Sequence, residues 1–409
     1  MASSASRVRI TAAVVLVIAV AFYAPLSLTY FWNGPTGPNL QDHVFDMLMS
    51  PSFAFGFGSG HDGGANAHFH TFVANYATMW IHSVVGTTAL VAGLSQFSNR
   101  LRRKRPGVHR TLGKVFILCC LAVAVTAAIY LLRTPADQVF SGKVFEEVLW
   151  VLAAGTASFA TLAFVSIRRR DLVAHREFAT AAFALICSAG WLRLMWMTVD
   201  VFWSPGKEML NLYGIQFAPA FLTTGTILYV SKFWKGKRGA DSPLATTGAL
   251  RIAGAVGAVG VAALAIVAAT ATDWSAPHPY WFSPGWTPVL TGTVIPSVAI
   301  TLWLAWMARR AGRSGNVAAQ AAWRTYLAGA FLSPTVGAAG YGFGVWLLGF
   351  NAQEAWYIVG YLCGVTVLMA YAAHATVTTR WAKRAKHVHQ PRSVEEAHQT
   401  APTAEPVSA

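Results

Sequence analysis

Ten long apolar runs, near residues 10–32, 76–97, 111–132, 144–167, 177–200, 210–231, 250–271, 286–308, 325–348 and 355–377, constrain this chain more than any other feature. A helix rises 1.5 Å per residue, so roughly 20 apolar residues cross the ~30 Å hydrocarbon core of a bilayer. Lipid offers no partner to backbone N–H and C=O groups, so only helices and closed barrels span it, and barrel strands are about half this length. The expected fold is therefore all-α: a polytopic transmembrane bundle of about ten spans. Composition agrees, with 55% hydrophobic and only 11% charged residues and a mean hydropathy of +0.46.

The first run follows Arg7 and Arg9 and carries no small-x-small cleavage signal before Pro25, so it reads as a retained anchor. With a cytoplasmic N-terminus and ten spans, 27 of the 31 Lys and Arg fall on the cytoplasmic side, and the C-terminus falls there too. Cytoplasmic loops retain such residues, so the asymmetry sets the expected orientation. The net charge of +15 is then a positive-inside pattern facing the bilayer and its anionic headgroups, and it requires no nucleic acid. Cys119, Cys120, Cys187 and Cys363 all sit in apolar runs and read as small packing residues. Nucleotide-binding loops, nucleophile elbows and HExxH zinc motifs are missing from the sequence, which argues against ATP-driven or hydrolytic chemistry.

Four segments follow from this pattern. Residues 1–75 form an anchor and an external loop with scattered histidines; 76–235 a first membrane domain of four to five helices; 236–380 a second four-helix region; and 381–409 a polar, disordered cytoplasmic tail. A constant offset of 148 residues lays the fifth and sixth runs on the ninth and tenth, pairing Arg176 with Arg324 and Tyr213 with Tyr361. Shared apolar composition produces such matches as readily as duplication does. His175 falls on Trp323 and Arg193 on Tyr341, so ionisable chemistry belongs to the first half.

Two His-Arg pairs, His109-Arg110 and His175-Arg176, stand where basic stretches meet the third and fifth runs. Both of those runs start at the same face, so the two rings are expected at one depth. Facing neutral imidazoles are what a six-coordinate b-type haem requires, with the arginines available to its propionates and Asp171 available to the second ring nitrogen of His175. The alternative is that interfacial His and Arg snorkel to lipid phosphates and anchor the helices. His82 lies inside the second run, about a membrane thickness from His109. His61, His68 and His70, with Asp62, make a candidate external copper or zinc site. Arg193 is placed deep in the fifth run, at an insertion cost of at least ~2.5 kcal/mol unless paired or hydrated. Asp200, Glu146 or Glu147 could pair with it, or it could hold an anion, a haem propionate or a quinone oxygen.

The succession of His82, GTTALVAGLSQF ending near Gln96, His109-Arg110-x-x-Gly113, the Arg168–Asp171 stretch before His175-Arg176, and Leu192-Arg193-Leu194 resembles the bacterial membrane family known as domain of unknown function 2306, over roughly residues 76–231. The chain departs from that pattern at HREFATAAFA and in having four further spans. The resemblance implies a bacterial cytoplasmic membrane protein and groups His82, His109, His175 and Arg193 as a set, while assigning no activity.

Three functional readings remain open on the sequence. One is a haem-b electron-transfer protein dealing with quinone or another redox partner. The second is a transporter or permease for a small, anionic molecule held by Arg193, and the third a non-catalytic membrane scaffold.

Overall fold

A computed structural model describes residues 4–33, 73–139, 142–199, 207–231, 242–270 and 293–388, with residues 40, 43, 44, 47 and 71. Among the described residues the chain is helical throughout, with no strand. In chain order the helices are α1 (Ser4–Thr29), α2 (Tyr76–Gln96), α3 (Asn99–Lys104), α4 (Pro106–Arg133), α5 (Gly142–Arg168), α6 (Leu172–Ile186), α7 (Ser188–Val199), α8 (Lys207–Ser231), α9 (Thr247–Thr270), α10 (Ile295–Arg313), α11 (Val317–Trp346) and α12 (Ala352–Val388).

Local chemistry sets these boundaries. The short connections supply N-caps: Ser98 Oγ accepts from Leu101 N at 3.2 Å, Asp171 Oδ1 from Ala174 N at 2.9 Å, and Asn316 Oδ1 from Ala319 N at 3.0 Å. Pro106 opens α4, where its missing N–H costs nothing. Asn351 and Glu354 form a reciprocal capping box at the start of α12, with both bonds at 2.9 Å.

Five helical segments are long and apolar enough to cross a membrane: α2, α4, α5, α9 and Glu354–Thr378 of α12. The expected fifth span is broken. α6 and α7 meet at Cys187 with a bend of 44°, and counted as one crossing they make a sixth. α8, α10 and α11 coincide with expected apolar runs but carry too much polar or charged character to meet the same measure, and Leu16–Thr29 of α1 is a shorter apolar helix. Among the described residues there are thus five or six clearly apolar spans, and α12 continues helical to Val388, past the expected start of the tail.

Successive helices pack as antiparallel neighbours, α2 on α4, α4 on α5 and α5 on α6, after which α8 lies against α6 and α12. In the C-terminal part α11 is the hub, flanked by α9, α10 and α12. One apolar core runs through both parts, from Ala89, Phe116 and Cys120 through Phe178 and Phe183 to Trp323, Tyr326 and Tyr371. α12 closes the bundle by touching α5, α6 and α8 as well as α11.

The α9–α11 crossing shows how sequence sets this packing. Gly254, Gly257 and Gly260 recur every third residue on α9, and a Cβ at Gly257 would stand 1.9 Å from the Phe331 carbonyl oxygen. At Gly260 it would stand 2.3 Å from Thr335 N. The backbones are in direct contact, and Thr335 Oγ1 donates across the gap to the Val256 carbonyl at 2.7 Å. In lipid, where no hydrophobic force drives helices together, such close approach and interhelical hydrogen bonding carry the association. Gly257→Val and Gly260→Val are each expected to cost about 1–3 kcal/mol, as overpacking does, and thermal unfolding of the detergent-solubilised protein measures this. Gly254→Val, with its nearest neighbour 4.0 Å away, is expected to be nearly neutral.

Candidate functional site at the His-Arg motifs

His109 is the fourth residue of α4, one turn after Pro106, and His175 is the fourth of α6. Each is held near its helix start by the cap that precedes it, and the fold brings the two rings within electrostatic reach of each other. Arg102 on α3 acts on His109, on Arg176 and on the Tyr229 phenol at the end of α8. Arg176 acts on Tyr229 as well. Two imidazoles, two guanidinium groups and a phenol therefore share one end of the bundle, and Arg110, exposed beside His109, adds a third positive charge.

The floor of this site is aromatic. Phe97 packs edge-on against Tyr229 at 4.8 Å between ring centres and tilted against Phe183 at 5.0 Å, and Phe183 meets Phe116 at 6.3 Å. Gly93 allows this stack, since a Cβ there would stand 2.5 Å from the Phe183 ring. At Gly113 a Cβ would come to 3.2 Å from Gln96 Oε1, which places the end of the GLSQF stretch against the His-Arg-x-x-Gly turn. The two motifs are one structural unit.

Hydrogen bonding assigns the tautomer of His175. Its Nδ1 lies 2.9 Å from the Ala163 carbonyl oxygen on α5. A carbonyl only accepts, so in the neutral ring Nδ1 carries the hydrogen and Nε2 keeps its lone pair. The partner is thus a backbone carbonyl and not Asp171, whose Oδ1 caps α6. His109 differs: its Nδ1 is buried and has no hydrogen-bond partner among the described residues. Buried ring nitrogens in native proteins are rarely left so.

A second polar cluster lies within α2, α4 and α7. His82 Nδ1 is 2.9 Å from Thr126 Oγ1, and Thr126 donates its only hydroxyl hydrogen to the Ala122 carbonyl at 2.8 Å or that of Val123 at 3.0 Å. The hydroxyl must then accept from Nδ1–H, which leaves Nε2 as the basic nitrogen of His82. Arg193 acts electrostatically on this ring. Its guanidinium carbon sits 4.8 Å from the centre of the Trp196 ring, a cation–π contact, while its Nε is buried without a hydrogen-bond partner among the described residues. Neither Glu146 nor Glu147 pairs with Arg193; Glu146 Oε1 instead accepts from Trp150 Nε1 at 3.4 Å. Asp200 lies outside the described residues, as do His61, His68 and His70. Among the described residues no group of three or more His, Cys, Asp or Glu is disposed to hold a metal ion.

The structure thus joins His109 with His175, and His82 with Arg193, in two separate clusters. The second pairing was not legible in the sequence, because it depends on the break at Cys187. Sequence reasoning also passed over Arg102 and Tyr229, which look like an ordinary basic loop residue and an interface aromatic. Glu177 was missed as well. It is 1% exposed, and the Tyr371 hydroxyl donates to its carbonyl at 2.7 Å, beside buried His374 and Tyr326. An acid at the first position of an apolar run, one turn into its helix, was the signal available. The chain matches no curated protein and no solved structure. Residues 79–234, which hold both clusters, match the family described as predicted membrane protein, domain of unknown function 2306.

Proposed function

We propose that the segment around residues 76–231 is a membrane electron-transfer module in which His109 and His175 would hold a b-type haem at the basic end of the bundle. The observation that carries this is the anchored His175 ring near the unpartnered His109 Nδ1: one imidazole keeps its lone pair on Nε2, and the other has a buried nitrogen with no partner among the described residues. Axial histidines are held in this way, the second nitrogen donating to a backbone carbonyl that sets ring orientation and basicity. Arg102, Arg110 and Arg176 are placed to pair with propionate groups, and Phe97, Phe183 and Tyr229 supply aromatic surface. Such a group, when bound, supplies one-electron chemistry with a potential set by its axial ligands and surroundings. The protein's own part is to fix two rings, balance the anionic groups and keep water from the apolar side. In this reading all ten apolar runs cross a bacterial cytoplasmic membrane with both termini inside, so the site faces the cytoplasm. Quinone or a soluble redox protein would be the partner.

The purified full-length protein, or membranes enriched in it, is expected to show a Soret band that shifts on dithionite reduction. His109→Ala or His175→Ala is expected to abolish the band, while Arg102→Ala keeps the band but alters its reduction potential. A colourless protein that takes up no added haemin contradicts the reading.

A second reading is favoured by the orphan Nε of Arg193. A guanidinium in hydrocarbon with an unused donor is suited to hold a carboxylate, an anion or a quinone oxygen, with His82 Nε2 beside it as a proton acceptor. Arg193→Lys, which keeps the charge but loses the fork geometry, is expected to weaken binding of such a ligand by about tenfold or more, in line with ~1.5–3 kcal/mol for a charge-assisted hydrogen bond. Isothermal titration in micelles with a short-chain quinone and with a monocarboxylate separates the two ligand types. A protein that binds neither and only loses stability on Arg193→Lys has a scaffold role at this position.

A further inference from the structure

We propose a binding site for one small alkali cation, sodium or potassium, in a cavity enclosed by α8, α10, α11 and α12. Gln216, Ser297, Thr301, Ser333, Gly360 and Cys363 are among its lining residues. It lies apart from both His-Arg clusters, and Gln216 is the one of these residues contributed by the family-matched segment. The cavity therefore sits where that segment meets the C-terminal helices.

Gln216 makes the cavity more than a packing defect. It is 1% exposed, lines the space, and neither Oε1 nor Nε2 of its carboxamide has a hydrogen-bond partner among the described residues. Leaving both ends of a buried amide unsatisfied costs about 1–3 kcal/mol per group. A sequence free to choose would place an apolar residue there, so the amide is retained for something it binds.

Size, charge and hydrogen positions together narrow what that is. The cavity leaves about 10 Å³ for the centre of a water-sized sphere, room for one water or one bare ion and for no organic molecule. Neither an acid nor a base lines it. A divalent ion needs carboxylates to offset its dehydration, so the lining suits a single charge. Two of the three hydroxyl hydrogens are already committed: Thr301 donates to the Ser297 carbonyl at 2.7 Å, and Ser333 to the carbonyl of Gly329 at 3.1 Å or of Cys363 at 3.0 Å, while the Ser297 side chain pairs with that of Cys363. The Cys363 thiol points its hydrogen at the Ser333 carbonyl at 3.5 Å. What the Thr301 and Ser333 hydroxyls have left to offer is lone pairs, to which Gln216 Oε1 adds another. Neutral oxygens lining a water-sized space suit a dehydrated monovalent cation.

Prolines stand on three of the four walls. Pro219 follows Gln216 by three residues, Pro296 opens α10 and Pro334 follows Ser333. Pro219 and Pro334, inside their helices, each remove a backbone donor and free a carbonyl one turn back, the kind of group that joins ion coordination inside membrane proteins, whereas Pro296 stands at a helix start where its missing N–H costs nothing.

Thermal unfolding of the full chain in micelles, in sodium, potassium or choline chloride at equal ionic strength, tests the site. Tm is expected to rise saturably with sodium or potassium over choline, because an ion bound only to the folded state stabilises it. Gln216→Leu is expected to raise the half-saturating concentration at least about tenfold, while leaving Tm in choline unchanged or higher. If Gln216→Leu fails to fold, Ser333→Ala is expected to weaken the cation-dependent shift in the same way. Identical Tm values in the three salts mean that the cavity holds only water and overturn the proposal, as does a Gln216→Leu protein that keeps the full shift. Haem content does not enter this readout, so the two proposals fail separately.

Discussion

Every polar group in the hydrocarbon layer has to find its partner within the protein, and the rest of this structure follows from that constraint. Backbone groups meet it by staying helical from cap to cap. Side chains meet it by donating inward: Thr126, Thr226, Thr325, Ser333 and Thr366 each return a hydroxyl hydrogen to a carbonyl of their own helix. Against this background, His109 Nδ1, Arg193 Nε and the Gln216 carboxamide are among the buried groups that find no hydrogen-bond partner among the described residues. Evolution tolerates such orphans where a ligand completes them.

The same constraint orients the histidines. A threonine or a backbone carbonyl with nothing left to donate forces the hydrogen onto Nδ1 of His82 and His175, which leaves the lone pair on Nε2 of both rings. These two contacts tie α2 to α4 and α5 to α6, so the orientation of the rings and the packing of the family-matched helices are one problem with one solution. The aromatic stack of Phe97, Phe116, Phe183 and Tyr229 holds the basic ends of α4, α6 and α8 at the spacing that lets Arg102 and Arg176 act on the same phenol.

The all-helical membrane class was legible in the sequence, because long apolar runs in an otherwise poorly charged chain admit almost no other solution, whereas the ten spans and two related halves were finer than the structure shows. That His109 and His175 lie at the same end of the bundle followed from helix direction. Where sequence reasoning stopped is instructive. Span number was read from apolar length, but a run such as 177–200 holds a bend at Cys187 that periodicity does not reveal, and Arg193, beyond that bend, acts on His82. The expected carboxylate partners for Arg193 were chosen by proximity in the chain, whereas Glu146 is turned to Trp150. Gln216 was overlooked because an uncharged polar residue in an apolar run gives little signal, and Glu177 because its significance lies in which helices surround it.

His175 of the proposed haem site and His82 of the Arg193 cluster are both held as Nδ1–H tautomers, with the lone pair left on Nε2. Nitrogen-15 NMR of the histidine-labelled, full-length protein in micelles, with His82→Gln and His175→Gln for assignment, tests this directly. Both rings are predicted to be neutral, with a protonated Nδ1 and a pyridine-type Nε2. A protonated Nε2 with a bare Nδ1 at either position would contradict the assignment and the site built upon it.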